Sequence, residues 1–151
     1  MPLITIREAR ADDFAVLLRL LDQMDESMYP GRGHAGEGDI HALYEAILAE
    51  PDQRLLVAED GGRLMGSAHV MVLRHIGRSL PRSAVVEGVV VNPAYRGRGV
   101  GAALMRAAAE AAREAGCYKL TLTSNLARTG AHRFYSRLGW KRTHYGYSLD
   151  L

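Results

Sequence analysis

The feature that most constrains this chain is a glycine-rich turn, Arg96–Gly101, between an apolar run and a long alanine-rich segment. The run Val85–Val91 is predicted to be a buried strand, and residues 99–115 a helix. The start of such a helix exposes unpaired N–H groups with about half a positive charge. Glycines let an anion approach the backbone, and Arg96 and Arg98 add charged donors. The turn therefore predicts a pyrophosphate site.

Three other interpretations of the turn are possible: a P-loop, a dinucleotide-binding turn and a turn that serves packing alone. It lacks the Gly-Lys-Ser/Thr ending of a P-loop, which argues against nucleotide triphosphate hydrolysis. The spacing Gly97-x-Gly99-x-x-Ala102 fits a relaxed dinucleotide-binding fingerprint, but that fold needs a carboxylate after the next strand. Residues 120–124 read Leu-Thr-Leu-Thr-Ser and contain none. A turn needed only for tight strand–helix packing stays open.

Hydrophobic periodicity predicts an α+β (mixed α/β) fold. The predicted helices cover residues 14–28, 39–49, 99–115 and 128–138. The predicted strands cover residues 4–7, 54–59, 63–72, 85–91 and 119–123, with a last strand or two within 140–148. The strand–helix–strand crossover at residues 85–123 predicts that its two strands are parallel.

Length and composition limit the possible classes of protein. A chain of 151 residues predicts a single domain, residues 1–151, that needs no disulfide or metal. The single Cys117 and the spacing of the six histidines predict no metal site. The arginines are scattered, which argues against nucleic-acid binding. No apolar run is long enough to span a membrane, and the N-terminus does not resemble a signal peptide, so we expect a cytoplasmic location.

Four motifs in register resemble the GNAT family, the GCN5-related N-acetyltransferases. Arg96–Gly101 matches the family signature Arg/Gln-x-x-Gly-x-Gly/Ala, and Glu87–Pro93 resembles its fourth strand. Gly116–Lys119 is similar to its helix-to-strand junction, and residues 131–140 are similar to its late helix with an aromatic pair. The resemblance implies a mostly antiparallel sheet whose parallel fourth and fifth strands splay apart.

The same resemblance implies that acetyl-coenzyme A enters between these strands. Its pantetheine arm would pair with the fourth strand, and the glycine turn would surround its pyrophosphate. The residues implied to bind the coenzyme are Val89, Val90, Val91, Arg96, Gly97, Arg98, Gly99, Val100, Gly101, Ala102, Asn125 and Phe134. As alternatives, the valines and Phe134 are core residues, and Asn125 caps a turn.

Glu87 is the predicted catalytic base, because it interrupts an apolar strand where partial burial would raise its pKa. The resemblance also implies a base at this position, and it implies that Tyr135 is the general acid. The alternatives are a Glu87 that faces solvent or pairs with an arginine, and a Tyr135 that is a core aromatic.

The resemblance implies that the acceptor site is walled by the loop between the first two helices and by the segment after the third strand. Cations in these two segments predict a small acceptor amine that carries a negative group. Arg32, His34 and Arg74 are the predicted acceptor-binding residues, together with Glu87; His75, Arg78 and Arg82 lie near Arg74 in the sequence. The alternative is that exposed loops carry arginine without this role.

The last quarter of the chain resembles aminoalkylphosphonate N-acetyltransferases. Residues 116–119 and the Glu87 strand resemble glucosamine-6-phosphate N-acetyltransferases, but the acidic residues that follow the fifth strand in that family are missing. A peptide acceptor, a coenzyme-binding module without catalysis and a purely structural domain are the other hypotheses. A homodimer through the C-terminal strands is a further expectation.

Overall fold

The computed structural model describes residues 3–28 and 31–151. The helices of the described ranges are α1 Phe14–Met28, α2 Glu37–Ala49, α3 Val100–Glu114 and α4 Thr129–Arg137. The strands are β1 Thr5–Glu8, β2 Gln53–Asp60, β3 Arg63–Arg74, β4 Arg82–Val91 and β5 Leu120–Thr121. The described ranges also contain two short 3-10 turns, Ala11–Asp13 and Pro93–Tyr95. None of the helices in these ranges combines the length and apolar composition that a membrane crossing requires.

The contacts of the chain group it into two compact units, Met1–Thr121 and Leu122–Leu151. The first unit holds the sheet together with α1, α2 and α3, and the second holds α4. That residues 1–151 act as one domain stays a prediction.

The five strands form one sheet in the order β1-β2-β3-β4-β5. The first four are antiparallel to their neighbours. β5 joins β4 in parallel, with Ala84 opposite Leu120 and Val85 opposite Thr121. The predicted α+β fold is therefore confirmed, including the parallel pair on either side of the α3 crossover.

The two faces of the sheet are covered by different helices. Val57 packs in a core cluster with Leu17 of α1. Its neighbour Ala58 pairs with Gly66, and a methyl group on Gly66 would lie 3.1 Å from the side chain of Leu104 in α3. Because successive strand residues point to opposite faces, α1 and α3 lie on opposite sides of the sheet.

α3 is helical because its sequence suits both the backbone and the sheet. Alanine has the highest helix propensity, and alanines fill much of the segment. Val100, Leu104 and Ala108 recur at helical spacing and are buried. Burying this stripe against β2, β3 and β4 fixes the N-terminal end of α3 beside the end of β4.

The expectation that β4 is buried on both faces is wrong. Ala84 and Val86 are buried, Val85 is half-buried, and Glu87 is exposed. The buried residues share the face that carries Val70, the cross-strand partner of Val86, and this face packs on α3. The opposite face is not fully covered at Val85 and Glu87.

The C-terminal strands were also predicted incorrectly. The fifth strand contains only Leu120–Thr121 rather than residues 119–123, and no strand forms in the described segment 140–148. Tyr145 and Tyr147 alternate with smaller residues as in a strand, yet both are exposed. A strand is stable only when its backbone pairs with another, and this segment joins no ladder of the described chain.

Candidate functional site

A bulge interrupts the pairing of β3 with β4 immediately after Glu87. His69 lies opposite Glu87 and Ser67 lies opposite Val90, so Gly88 and Val89 together face one residue of β3. Gly88 has φ +58°, a conformation that side chains with a Cβ rarely adopt. Bulges of this kind bend a strand and redirect its side chains and amides.

β4 also extends beyond its parallel partner. The pairing with β5 covers only Ala84 and Val85, and β4 continues to Val91. β5 therefore pairs only with the start of β4, and the splaying of the two strands that the family resemblance implies stays a prediction. Beyond Val85, the backbone groups of β4 on this side lie outside the β5 ladder and can bind an extended ligand, as an edge strand does.

The glycine turn delivers the chain from β4 to the start of α3. Gly99 is the N-cap residue, with φ +83°, and the first helical hydrogen bond runs from the Ala103 amide to the Gly99 carbonyl at 3.0 Å. The amides of residues 100–102 precede that bond and have no helical acceptor. A Cβ on Gly99 would meet nothing within 4 Å, so the space beside the Gly99 backbone is open. The turn therefore has the properties of an anion site.

The two arginines of the turn have local contacts. Arg96 donates from Nε to the Val91 carbonyl at 3.3 Å, which ties the turn to the end of β4. The guanidinium of Arg98 lies 5.6 Å from the centre of the Tyr95 ring, a cation–π distance. Both side chains are exposed, so both remain available to an anion at the turn.

Glu87 is exposed, so the expectation that it is partly buried is wrong. The three valines that follow the bulge differ from one another. Val89 and Val91 are half-buried, whereas Val90 belongs to the core cluster with Leu17. Val90 can therefore reach a ligand only through its backbone.

Two residues of this region were missed in the sequence. Ser67 is fully buried and His69 half-buried, and both lie on the face of β3 that carries Leu55 and Val57 as cross-strand partners. In the described chain, Ser67 Oγ and His69 Nε2 are buried without a hydrogen-bond partner. Burial also lowers the pKa of His69. The pattern Ser-Ala-His within an apolar strand was the signal that could have identified them.

The second unit carries the remaining predicted residues. The Tyr135 ring lies 5.2 Å from Phe134 and 6.1 Å from Trp140, between ring centroids. Burial raises the pKa of Tyr135, although Arg128 opposes the shift. Asn125 accepts from the Ala127 amide through Oδ1 at 2.9 Å, so it caps a turn as the alternative reading predicted.

The predicted acceptor residues have different surroundings. Arg32 and His34 are exposed in the segment before α2. Arg74 forms an ion pair of 2.5 Å with Asp52, which offsets part of its charge. His75 shares a 2.8 Å hydrogen bond with Ser83, at the end of β3. Arg74 is thus less available to an anion than its sequence position indicated.

Comparison with known proteins identifies the family of this chain. Residues 18–140 match the model of the acetyltransferase (GNAT) family. The chain belongs to this family. GNAT acetyltransferases use acetyl-coenzyme A, and the amides of residues 100–102, which lack a helical acceptor, have the chemistry that its pyrophosphate requires. In the described residues, no group of three His, Cys, Asp or Glu side chains could hold a metal ion.

Three relatives differ in the acceptors that their names give. The chain is 42% identical over 107 residues to glucosamine 6-phosphate N-acetyltransferase 1 of Oryza sativa subsp. japonica, covering 69% of this chain and 63% of the relative. It is 28% identical over 154 residues to the aminoalkylphosphonate N-acetyltransferase of Salmonella typhimurium, covering 100% and 94%. It is 33% identical over 106 residues to N-alpha-acetyltransferase RimI of Mycobacterium tuberculosis, covering 69% and 65%.

The chain therefore spans less than two thirds of the rice and mycobacterial relatives and nearly all of the Salmonella relative. Among solved structures, an acetyltransferase of Trypanosoma brucei superposes with a TM-score of 0.78 at 28% identity. The superposition covers 99% of this chain and 100% of that one.

Proposed function

We propose that this GNAT protein transfers acetyl from acetyl-coenzyme A to a primary amine of a small anionic molecule. The observation that carries the proposal is the continuous path along β4. In the described chain, β4 has no partner on the β5 side beyond Val85. Glu87 and the bulge lie within this stretch, and the start of α3 with its unbonded amides follows it. One short segment can thus serve the amine, the coenzyme arm and the pyrophosphate.

In this proposal the coenzyme is held mainly by backbone. The amides of residues 100–102 bind the pyrophosphate, aided by Arg96 and Arg98. The backbone of Val89 and Val91 pairs with the pantetheine arm. When bound, acetyl-coenzyme A supplies the acyl group as a thioester, which an uncharged amine can attack directly.

Two side chains of the protein move protons. A primary amine has a reference pKa of about 10.4, so it reaches the site as an ammonium. Glu87 takes one proton from this nitrogen, directly or through water, and the lone pair that this frees forms the new C–N bond. The second proton of the nitrogen passes to water as the C–S bond breaks. Tyr135 holds a proton on its hydroxyl, because burial raises the pKa of Tyr135, and gives it to the departing sulfur.

The anionic acceptor rests on charge and on the relatives. Arg32 and His34 are exposed near one another in the sequence, and both can bind an acidic group. Two of the relatives are named for phosphate- or phosphonate-bearing amines. The mycobacterial relative is named for N-alpha acetylation, so peptide acetylation is the alternative.

The acceptor class can be tested with matched pairs of amines. We expect 2-aminoethylphosphonate and glucosamine 6-phosphate to give a kcat/KM about ten- to hundredfold higher than ethanolamine and glucosamine, since a charged hydrogen bond contributes about 1.5–3 kcal/mol. Release of the coenzyme thiol measures the rate. Faster acetylation of a lysine-containing or N-terminal peptide than of either anionic amine would remove this acceptor class.

The catalytic role can be tested with Glu87→Gln. We expect kcat to fall by about 10²–10⁴ while calorimetry shows an unchanged affinity for coenzyme A. Glu8→Gln, which changes an exposed glutamate on β1, is the matched control and keeps kcat. A wild-type protein that binds coenzyme A but releases no thiol with any amine is a binding module instead.

A further inference from the structure

His69 is the residue directly across the sheet from the proposed base. It is the cross-strand partner of Glu87 in the antiparallel pairing of β3 with β4. Opposing residues in such a pair point to the same face, with Cβ atoms about 4.5–5.5 Å apart. No direct hydrogen bond joins the two side chains in the described chain, but at this Cβ distance one water, or another rotamer of the exposed Glu87, can connect them. The fold thus fixes an imidazole beside the Glu87 side chain.

The surroundings of His69 do not explain it as a packing residue. Its cross-strand partner on β2 is the apolar Leu55. In the described chain His69 Nε2 is buried without a hydrogen-bond partner. Leaving such an atom unpaired costs about 1–3 kcal/mol, which an apolar side chain would avoid. Ser67 carries a similar cost, so what distinguishes His69 is its place opposite Glu87.

Burial also determines which form of the ring is present. Protonation of the ring would place an N–H at the buried Nε2, where the described chain offers no acceptor. Burial lowers the pKa of His69. The ring is therefore neutral near pH 7. Buried N–H groups without acceptors are rarer than buried acceptors without donors. We assign the proton to Nδ1, which leaves only the Nε2 lone pair in the enclosed position.

We propose that His69 is a positioning residue that donates from Nδ1 to the Glu87 carboxylate, directly or through one water, and so holds it toward the acceptor amine. The inference rests on Glu87 being the base proposed above. The proton that leaves the ammonium goes to Glu87, and His69 keeps its own proton throughout. An exposed carboxylate otherwise populates several rotamers, so a fixed donor raises the fraction in the productive one.

Three substitutions of His69 test the role of Nδ1. In His69→Asn the side-chain amide places an N–H at the position of Nδ1. In His69→Gln the amide N–H lies near the position of Nε2, and His69→Leu removes both nitrogens. We expect His69→Leu and His69→Gln to lower kcat about ten- to hundredfold, and His69→Asn to stay within about threefold of wild type. KM for acetyl-coenzyme A and the affinity for coenzyme A stay unchanged, and the melting temperature of His69→Leu does not fall.

Ser67→Ala is the matched control. Ser67 lies on the same face of β3 and also has a buried, unpartnered polar atom, but it opposes Val90 rather than Glu87. We expect this variant to keep the wild-type kcat. Loss of kcat in Ser67→Ala equal to that in His69→Leu would overturn the proposal, because the effect would then belong to the whole face.

A double-mutant cycle with Glu87→Gln tests whether His69 acts through Glu87. We expect His69→Leu to have little further effect on kcat in the Glu87→Gln background. An equal loss in both backgrounds, or a His69→Asn variant as slow as His69→Leu, would overturn the inference. If wild type transfers no acetyl group, or Glu87→Gln keeps full kcat, it is the proposed function that fails. An active wild type with a slow Glu87→Gln variant and an unaffected His69 series overturns only the role of His69.

Discussion

Polar side chains at the β1 edge of the sheet are paired, whereas those in the middle of β3 are not. In the N-terminal ion cluster, Arg7 donates to Asp13 at 2.7 and 2.9 Å and to Glu59 at 2.9 Å. Ser67 Oγ and His69 Nε2 are buried without a hydrogen-bond partner in the described chain. Among the described atoms of the ion cluster, only Arg7 Nε is buried without such a partner. The difference indicates that the ion cluster stabilises the fold, whereas Ser67 and His69 cost stability.

Asp13→Asn gives the largest expected effect and would sharpen this contrast. Asp13 is only 8% exposed, and it accepts from the Arg10 amide at 2.7 Å as well as from Arg7. Removing its charge leaves the guanidinium underpaired, so we expect the free energy of unfolding to fall by about 2 kcal/mol. Urea denaturation measures the free energy of unfolding. Asp12→Asn, at an exposed neighbouring position, should change this free energy by less than about 0.5 kcal/mol. Equal effects of the two variants would contradict the role of the cluster.

The pH dependence of stability gives a second, smaller effect from the same residue. The hydrogen bond from Arg7 lowers the pKa of Asp13 in the folded protein. The unfolded chain then binds the proton first, near its ordinary pKa of about 3.9, so the stabilisation is complete above about pH 5 and is lost as the pH falls. We expect the stability difference between wild type and Asp13→Asn to shrink as the pH falls from 7 to 3. A difference that stays constant would contradict the ion pair.

Ser67→Ala gives the smallest expected effect, and its sign is opposite. The hydroxyl of Ser67 is fully buried and unpartnered in the described chain, so removing it relieves a desolvation cost. We expect the free energy of unfolding to stay equal or to rise by up to about 1 kcal/mol. A loss larger than 1 kcal/mol in urea denaturation would show that Ser67 is bonded after all, and the contrast with the ion cluster would disappear.

The parts of the fold that depend on local patterns were predicted correctly. The glycine turn and the alanine-rich helix fix the start of α3, because capping and propensity act within a few residues. The parallel β4–β5 pair followed from the crossover rule. The family resemblance added the expectation that these two strands splay apart.

The parts that depend on distant partners were not predicted. The role of His69 depends on the register of β3 with β4, and a slip of one residue would turn the ring to the other face. The exposure of Glu87 depends on which helices cover which face. The alternation at Tyr145 and Tyr147 predicted a strand, but a strand forms only where a neighbouring backbone pairs with it.

The proposed function depends most on the binding of the coenzyme A pyrophosphate at the start of α3. Calorimetry tests this binding directly. We expect wild type to bind one coenzyme A per chain, and Gly99→Ala to bind about tenfold more weakly, since a side chain at φ +83° costs about 1–2 kcal/mol and disturbs the amides. Gly61→Ala has a similar strain, at φ +55° in the β2–β3 turn, and should keep the wild-type affinity. No binding by wild type, or equal affinities for all three proteins, would contradict the account.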